Sequence, residues 1–103
     1  MADETGYRLW LDTSTSGKMV TVVPHITAPA AMTLRYEIVS TKHGKAGRSS
    51  TTQSGRIAVD KEGSGTFAKL SLGTIGPDDR YTIAVRVFDG AKVVAEQTLN
   101  YPQ

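Results

Sequence analysis

Seven segments of alternating apolar and polar residues, glycine- and proline-bearing turns between them, and no helical periodicity predict an all-β chain, an antiparallel β-sandwich of about seven strands. Residues 67–90 are the clearest case. Ala68, Leu70 and Leu72 alternate with Phe67, Lys69 and Ser71, as in a half-buried strand. Gly73, Gly76 and Pro77-Asp78-Asp79 then supply a turn. Tyr81, Ile83, Val85 and Val87 alternate with Thr82, Ala84, Arg86 and Phe88 to give a long central strand. Asp89-Gly90 closes it, a pair that tolerates the positive φ of a tight hairpin. Two strands joined over a corner, the second opening on a tyrosine, match the centre of an immunoglobulin-like sandwich.

The other elements follow in order. Residues 1–6 are polar and expected to be flexible, ahead of one sandwich domain over 7–101. Tyr7, Leu9 and Leu11 alternate with Arg8, Trp10 and Asp12 in a first strand, and Trp10 is expected to pack at a sheet margin. Thr13–Gly17 reads as a turn. Lys18–Thr27 is a second strand with Val20, Val22 and Ile26 on one face. Pro24 cannot donate to a ladder, so this strand is expected at an edge or to bulge there. Leu34, Tyr36 and Ile38 mark a third strand to about Thr41. Residues 42–56 hold no large apolar side chain and read as a basic loop followed by a polar edge strand, which Ile57 and Val59 tie to the core. Residues 60–65 read as a turn, and Val93, Ala95, Gln97 and Leu99 as the last strand, ending at Tyr101-Pro102.

A chain of 103 residues is one domain, able to bury about 60–70% of its unfolded surface without cross-links. Hydrophobic residues at 39% and charged residues at 21% are ordinary for a globular protein, and no apolar run is long enough for a membrane span. Met1-Ala2-Asp3 reads as a start placed ahead of a processed chain, so a leader is expected in the natural precursor. With no cysteine, disulfides, thiol redox chemistry and cysteine-ligated zinc are excluded. The net charge of +2 is uneven: residues 1–16 sum to −2, whereas residues 35–56 sum to +4 through Arg35, Lys42, Lys45, Arg48 and Arg56 against Glu37. A basic middle suggests a weakly electrostatic partner surface. Nucleic acid is not expected, because Tyr36 is the sole aromatic in that stretch.

No catalytic constellation, metal site or cofactor loop is expected. Ser and Thr cluster in polar stretches, His25 and His43 have no local orienting carboxylate, and Asp78-Asp79 is better read as turn capping than as a calcium corner. Gly44 and Gly47 stand in a basic turn, not between strand and helix. The residues by themselves describe a β-sandwich binding module with a basic flank.

Val23-Pro24-His25-Ile26-Thr27, Ile38-Val39-Ser40, Gly47-Arg48-Ser49, Leu70-Ser71-Leu72, Pro77-Asp78-Asp79-Arg80 and Asp89-Gly90, in that order, resemble the CsgC-type inhibitors of curli assembly. The resemblance spans about residues 17–100 and is nearest the cysteine-free CsgH branch. It implies an immunoglobulin-like sandwich in the periplasm that keeps the curli major subunit CsgA from premature amyloid formation, without ATP or bond chemistry. The Cys-X-Cys pair of the CsgC branch falls here on Met32 and Leu34, so a redox role tied to that pair does not carry over. Arg35, Lys42, Lys45, Arg48 and Arg56, with Lys69 and Arg86 from the central strands, are the expected client-binding residues of a non-enzymatic monomer. The alternative is a generic secreted binding or adhesion module whose basic flank only protects an edge.

Overall fold

A computed structural model describes residues 6–17, 19–45, 47–74, 76 and 78–101 of the chain. The expected flexible N-terminus, apart from Gly6, lies outside the described residues, as do Pro77 and Pro102. Among the described residues eight strands form two antiparallel sheets: β1 (Arg8–Ser16), β2 (Met19–Thr27), β3 (Met32–Gly44), β4 (Gly47–Val59), β5 (Ser64–Thr66), β6 (Leu70–Thr74), β7 (Arg80–Asp89) and β8 (Lys92–Tyr101). One sheet runs β1-β2 and then the half-strands β5 and β6, both paired with β2. The other runs β4-β3-β7-β8. They meet as an immunoglobulin-like sandwich over a core that includes Val22, Ile26, Leu34, Ile38, Ile57, Ile83, Val85 and Val87. Each of these is an alternate position of its strand, so the period-2 pattern sends one side chain in two to the core.

The strands are longer than the apolar pattern alone implies. Residues 13–16 extend β1, pairing Ser16 with Met19, so only residues 17 and 18 separate the two strands. Likewise 42–48 is not a loop: β3 and β4 pair from Met32↔Val59 to Gly44↔Gly47, with residues 45 and 46 between them. Pairing satisfies the backbone of these stretches whether or not their side chains are buried, so a polar hairpin arm costs little. β4 is an edge strand, as its polarity predicts. The eighth strand, β5, begins inside the segment expected to be turn and ends one residue beyond it. It follows a tight hairpin in which the Asp60 carboxylate accepts from the Glu62 and Ser64 N–H groups, at 2.9 and 3.1 Å.

Pro24 lies within the inner strand β2, with β1 on one side and β5 and β6 on the other. Its carbonyl accepts from Phe67 N–H at 3.4 Å, on the side where β5 has ended and β6 has not begun. A residue's N–H and C=O point to the same neighbour in an antiparallel ladder, so the missing proline N–H faces that gap. The gap is made by Ala68, whose φ of 55° is the only positive value at a non-glycine among the described residues. That kink also corrects the expected alternation. Phe67 is buried and packs against Tyr36, with ring centroids 4.9 Å apart, instead of facing out. At the far end Gly90, φ 64°, takes the first central position of the two-residue β7–β8 hairpin, as a type II′ turn requires. A bulge opposite Val87 and Phe88 then turns Val93 to solvent, where it pairs with Phe88.

Candidate functional site

The pleat sorts the seven basic residues expected to bind a client into three places. Arg35 on β3, Arg48 and Arg56 on β4 and Arg86 on β7 occupy positions that point out of the four-stranded sheet, in alternation with the buried Leu34, Ile57, Val85 and Val87. Lys42 has the opposite parity and lies on the inner side, its ammonium 5.9 Å from the Tyr81 ring centre. Lys69, from the segment before β6, lines the same inner slot. Lys45 sits at the hairpin tip and is partly neutralised by Asp78, 3.4 Å away, with both groups well exposed. The structure therefore unites four of the seven on one face and separates the other three from it.

The outer face has two basic rows. Arg56 and Arg35 stand directly opposite each other in the β4–β3 register, followed across the sheet by Phe88. Arg35 is held there: its guanidinium lies 5.2 Å from the centre of the Phe88 ring, and Nη2 donates to the Gly90 carbonyl at 3.2 Å. Eight residues along β3, Arg48, His43 and Arg80 form a second row. At about 3.3 Å per residue the rows are about 26 Å apart. Between them run a charged row, in which Arg86 pairs with Glu96 at 3.4 Å beside Glu37, and a neutral field of Thr52, Val39, Ala84, Thr98, Ser50, Thr41, Thr82 and Asn100.

Like charges directly opposite on a sheet repel by a few tenths of a kcal/mol or more. No carboxylate of the described residues lies within ion-pair distance of Arg35, Arg48, Arg56 or Arg80. The face thus carries positive charge that no carboxylate of the described residues offsets at these four arginines. Sequence reasoning missed His43 and Arg80. Arg80 has the parity of Arg86, which pointed to the same face, but only the strand register places either residue beside Arg48.

On the opposite sheet, Trp10 projects outward and stacks on His25 with ring centres 5.2 Å apart, and Arg8 lies over the indole at 5.3 Å. His25 Nε2 contacts Asp12 Oδ2 at 2.8 Å. The β1–β2 register brings in this carboxylate, which local sequence did not show. Asp79, expected as a turn cap, accepts from Gly76 N–H at 2.9 Å. Tyr7 bridges the start of β1 to the other sheet, with its hydroxyl 3.5 Å from both Met32 Sδ and Asp89 Oδ2. Burial, and then the Asp89 charge, push the phenol above its ordinary pKa.

Fold and surface together define an immunoglobulin-like β-sandwich with a polar edge strand and a basic sheet face. The chain belongs to the family described as thin aggregative fimbriae synthesis protein, whose model matches residues 2–99. It is 32% identical over 90 residues to the curli assembly protein CsgC of Escherichia coli O1:K1 / APEC, covering 87% of this chain and 81% of that one. A solved structure of the E. coli curli protein CsgC superposes with a TM-score of 0.69 at 29% identity, covering 94% of this chain and 99% of that one. The solution structure of R. palustris CsgH, at 24% identity, shares the fold with a TM-score of 0.71 over 91% of each chain.

Proposed function

We propose that this protein acts in curli assembly as a periplasmic, chaperone-like inhibitor, contacting the amyloidogenic subunit CsgA transiently and delaying its nucleation. The observation that carries the reading is the outer face of the four-stranded sheet, where Arg35, Arg56, Arg48 and Arg80 stand in two rows with no carboxylate partner among the described residues. Membership of a family that contains curli assembly proteins supplies the context. An amyloid subunit seeks strand edges on which to extend. Exposed arginines attract its acidic or partly folded forms quickly and weakly, over about 8 Å at physiological salt. Such contact requires neither a stoichiometric complex nor bond chemistry, and a monomer suffices for it. An adhesion module reading would need a free aromatic platform, whereas Trp10 is already engaged by His25 and Arg8.

The test is thioflavin fluorescence during aggregation of purified CsgA, with the protein added well below equimolar. A lengthened lag is expected, shortened by salt and by the combined Arg35→Gln, Arg48→Gln, Arg56→Gln and Arg80→Gln variant. An unchanged time course with the wild-type protein would remove the inhibitor reading. Full inhibition by the variant would remove the arginine face from it.

A further inference from the structure

The two sheets differ in width. Across from the four strands β4-β3-β7-β8 lie only β1, β2 and the end-to-end half-strands β5 and β6. β5 covers the apolar end of β4, where Gly65 lies against Ile57 and Val59. Opposite β6 the inner face of the β3–β4 hairpin is left open, and a slot of about 350 Å³ separates the two sheets. One wall is built from the cross-strand pairs Ser40–Thr51 and Lys42–Ser49 with Gln53, and the other from Lys69 and the strand β6. Among the described residues β6 pairs with no strand but β2, and on its other side the Leu72 carbonyl alone has a side-chain partner, the Tyr81 hydroxyl at 3.0 Å.

We propose that this slot accepts an extended peptide as an added strand on the free edge of β6, and that the peptide presents a carboxylate flanked by short polar side chains. A strand there would bring the narrow sheet to the width of its partner and satisfy the backbone groups of that short edge that the Tyr81 hydroxyl does not reach. Charge complementarity fixes the carboxylate. Lys42 on β3 and Lys69 in the segment before β6 line opposite walls of the slot, and neither has a carboxylate partner among the described residues. The slot is apolar at Ile38, Leu70, Leu72 and Tyr81, but the hydroxyl and amide groups of its β3–β4 wall select short polar neighbours, because an apolar side chain against them would leave them without hydrogen-bond partners on desolvation. An inward lysine also discourages copies of this chain from pairing edge to edge, and an acidic strand turns the same charge into a contact. The slot deepens the client-binding reading but uses the inner side of the sheet, separate from the arginine face.

The experiment is an amide-shift NMR titration of the full chain with the capped heptapeptide acetyl-Ser-Gln-Thr-Asp-Thr-Gln-Ser-amide. Shifts are expected to gather at residues 49–53 and 69–72, with new hydrogen-exchange protection in β6. The Lys42→Gln/Lys69→Gln double variant, and the peptide with Asn in place of Asp, should each bind about tenfold more weakly. Arg35→Gln/Arg56→Gln should bind as the wild type does. No shifts, shifts centred on the arginine rows, or equal binding of the Asn peptide would overturn the slot. Peptide binding without CsgA inhibition would leave the slot and remove the inhibitor reading. Inhibition without peptide binding would do the reverse.

Discussion

The Tyr81 hydroxyl, near the head of β7, donates a hydrogen bond to the Leu72 carbonyl in β6, 3.0 Å away and nine residues upstream. It crosses from one sheet to the other over the turn that joins β6 to β7, in the manner of the tyrosine corner of immunoglobulin-like domains. Tyr81→Phe removes the donor and leaves a part-buried carbonyl unpaired, so stability should fall by about 1 kcal/mol. Urea unfolding followed by tryptophan fluorescence would show a lower midpoint with an unchanged slope. A midpoint equal to that of the wild type would mean that water replaces the bond without loss.

Ala68 holds a left-handed backbone at φ 55° so that β5 can stop and β6 can start beside Pro24. Glycine there removes about 1–2 kcal/mol of strain and returns about 0.4–1 kcal/mol through a more flexible unfolded chain. Ala68→Gly should therefore stabilise on the order of 0.5 kcal/mol, and Ala68→Val should destabilise by about 1–3 kcal/mol. Thermal melts of the two variants should move in opposite directions.

The Tyr7 phenol is held above 10.0 by burial and by Asp89. Its folded value exceeds its unfolded one, so the folded protein keeps this proton to higher pH than the unfolded chain does. The associated stability is complete below the unfolded value of 10.0, declines above it and is lost as pH passes the folded value. Denaturant midpoints should fall above pH 10, and Tyr7→Phe should flatten that fall.

The two basic rows of the outer face lie about 26 Å apart, roughly three screening lengths at physiological salt. Under the inhibitor reading, Arg35→Gln/Arg56→Gln and Arg48→Gln/Arg80→Gln should each shorten the CsgA lag extension, with effects that add in free energy. Strong coupling between the pairs would show that one client segment spans both rows.

Much of the sandwich was legible because buried strands write their parity into the sequence: Val20–Ile26 and Tyr81–Val87 alternate, and Asp89-Gly90 marks a hairpin. The polar ends of β1, β3 and β4 were not legible, since backbone pairing there brings no apolar signal. Ala68 hid the break between β5 and β6, because alanine rarely takes a left-handed conformation. The basic composition of the candidate site was visible, but its geometry depends on register. Parity sends Lys42 inward while Arg35 and Arg48 face out, and only strand pairing sets His43 and Arg80 beside Arg48 and Asp12 against His25.

The free edge of β4 runs for thirteen residues, and nearly every position before Ile57 is exposed serine, threonine, glutamine, glycine or arginine. A foreign strand laid along it would gain main-chain hydrogen bonds but find no interdigitating apolar surface with which to form a dry zipper. A second copy of β4 stacked in register would bring its Arg48 and Arg56 guanidinium groups against those of the first. In a compartment where a fibre-forming protein is abundant, such an edge can touch a growing aggregate yet makes a poor seed.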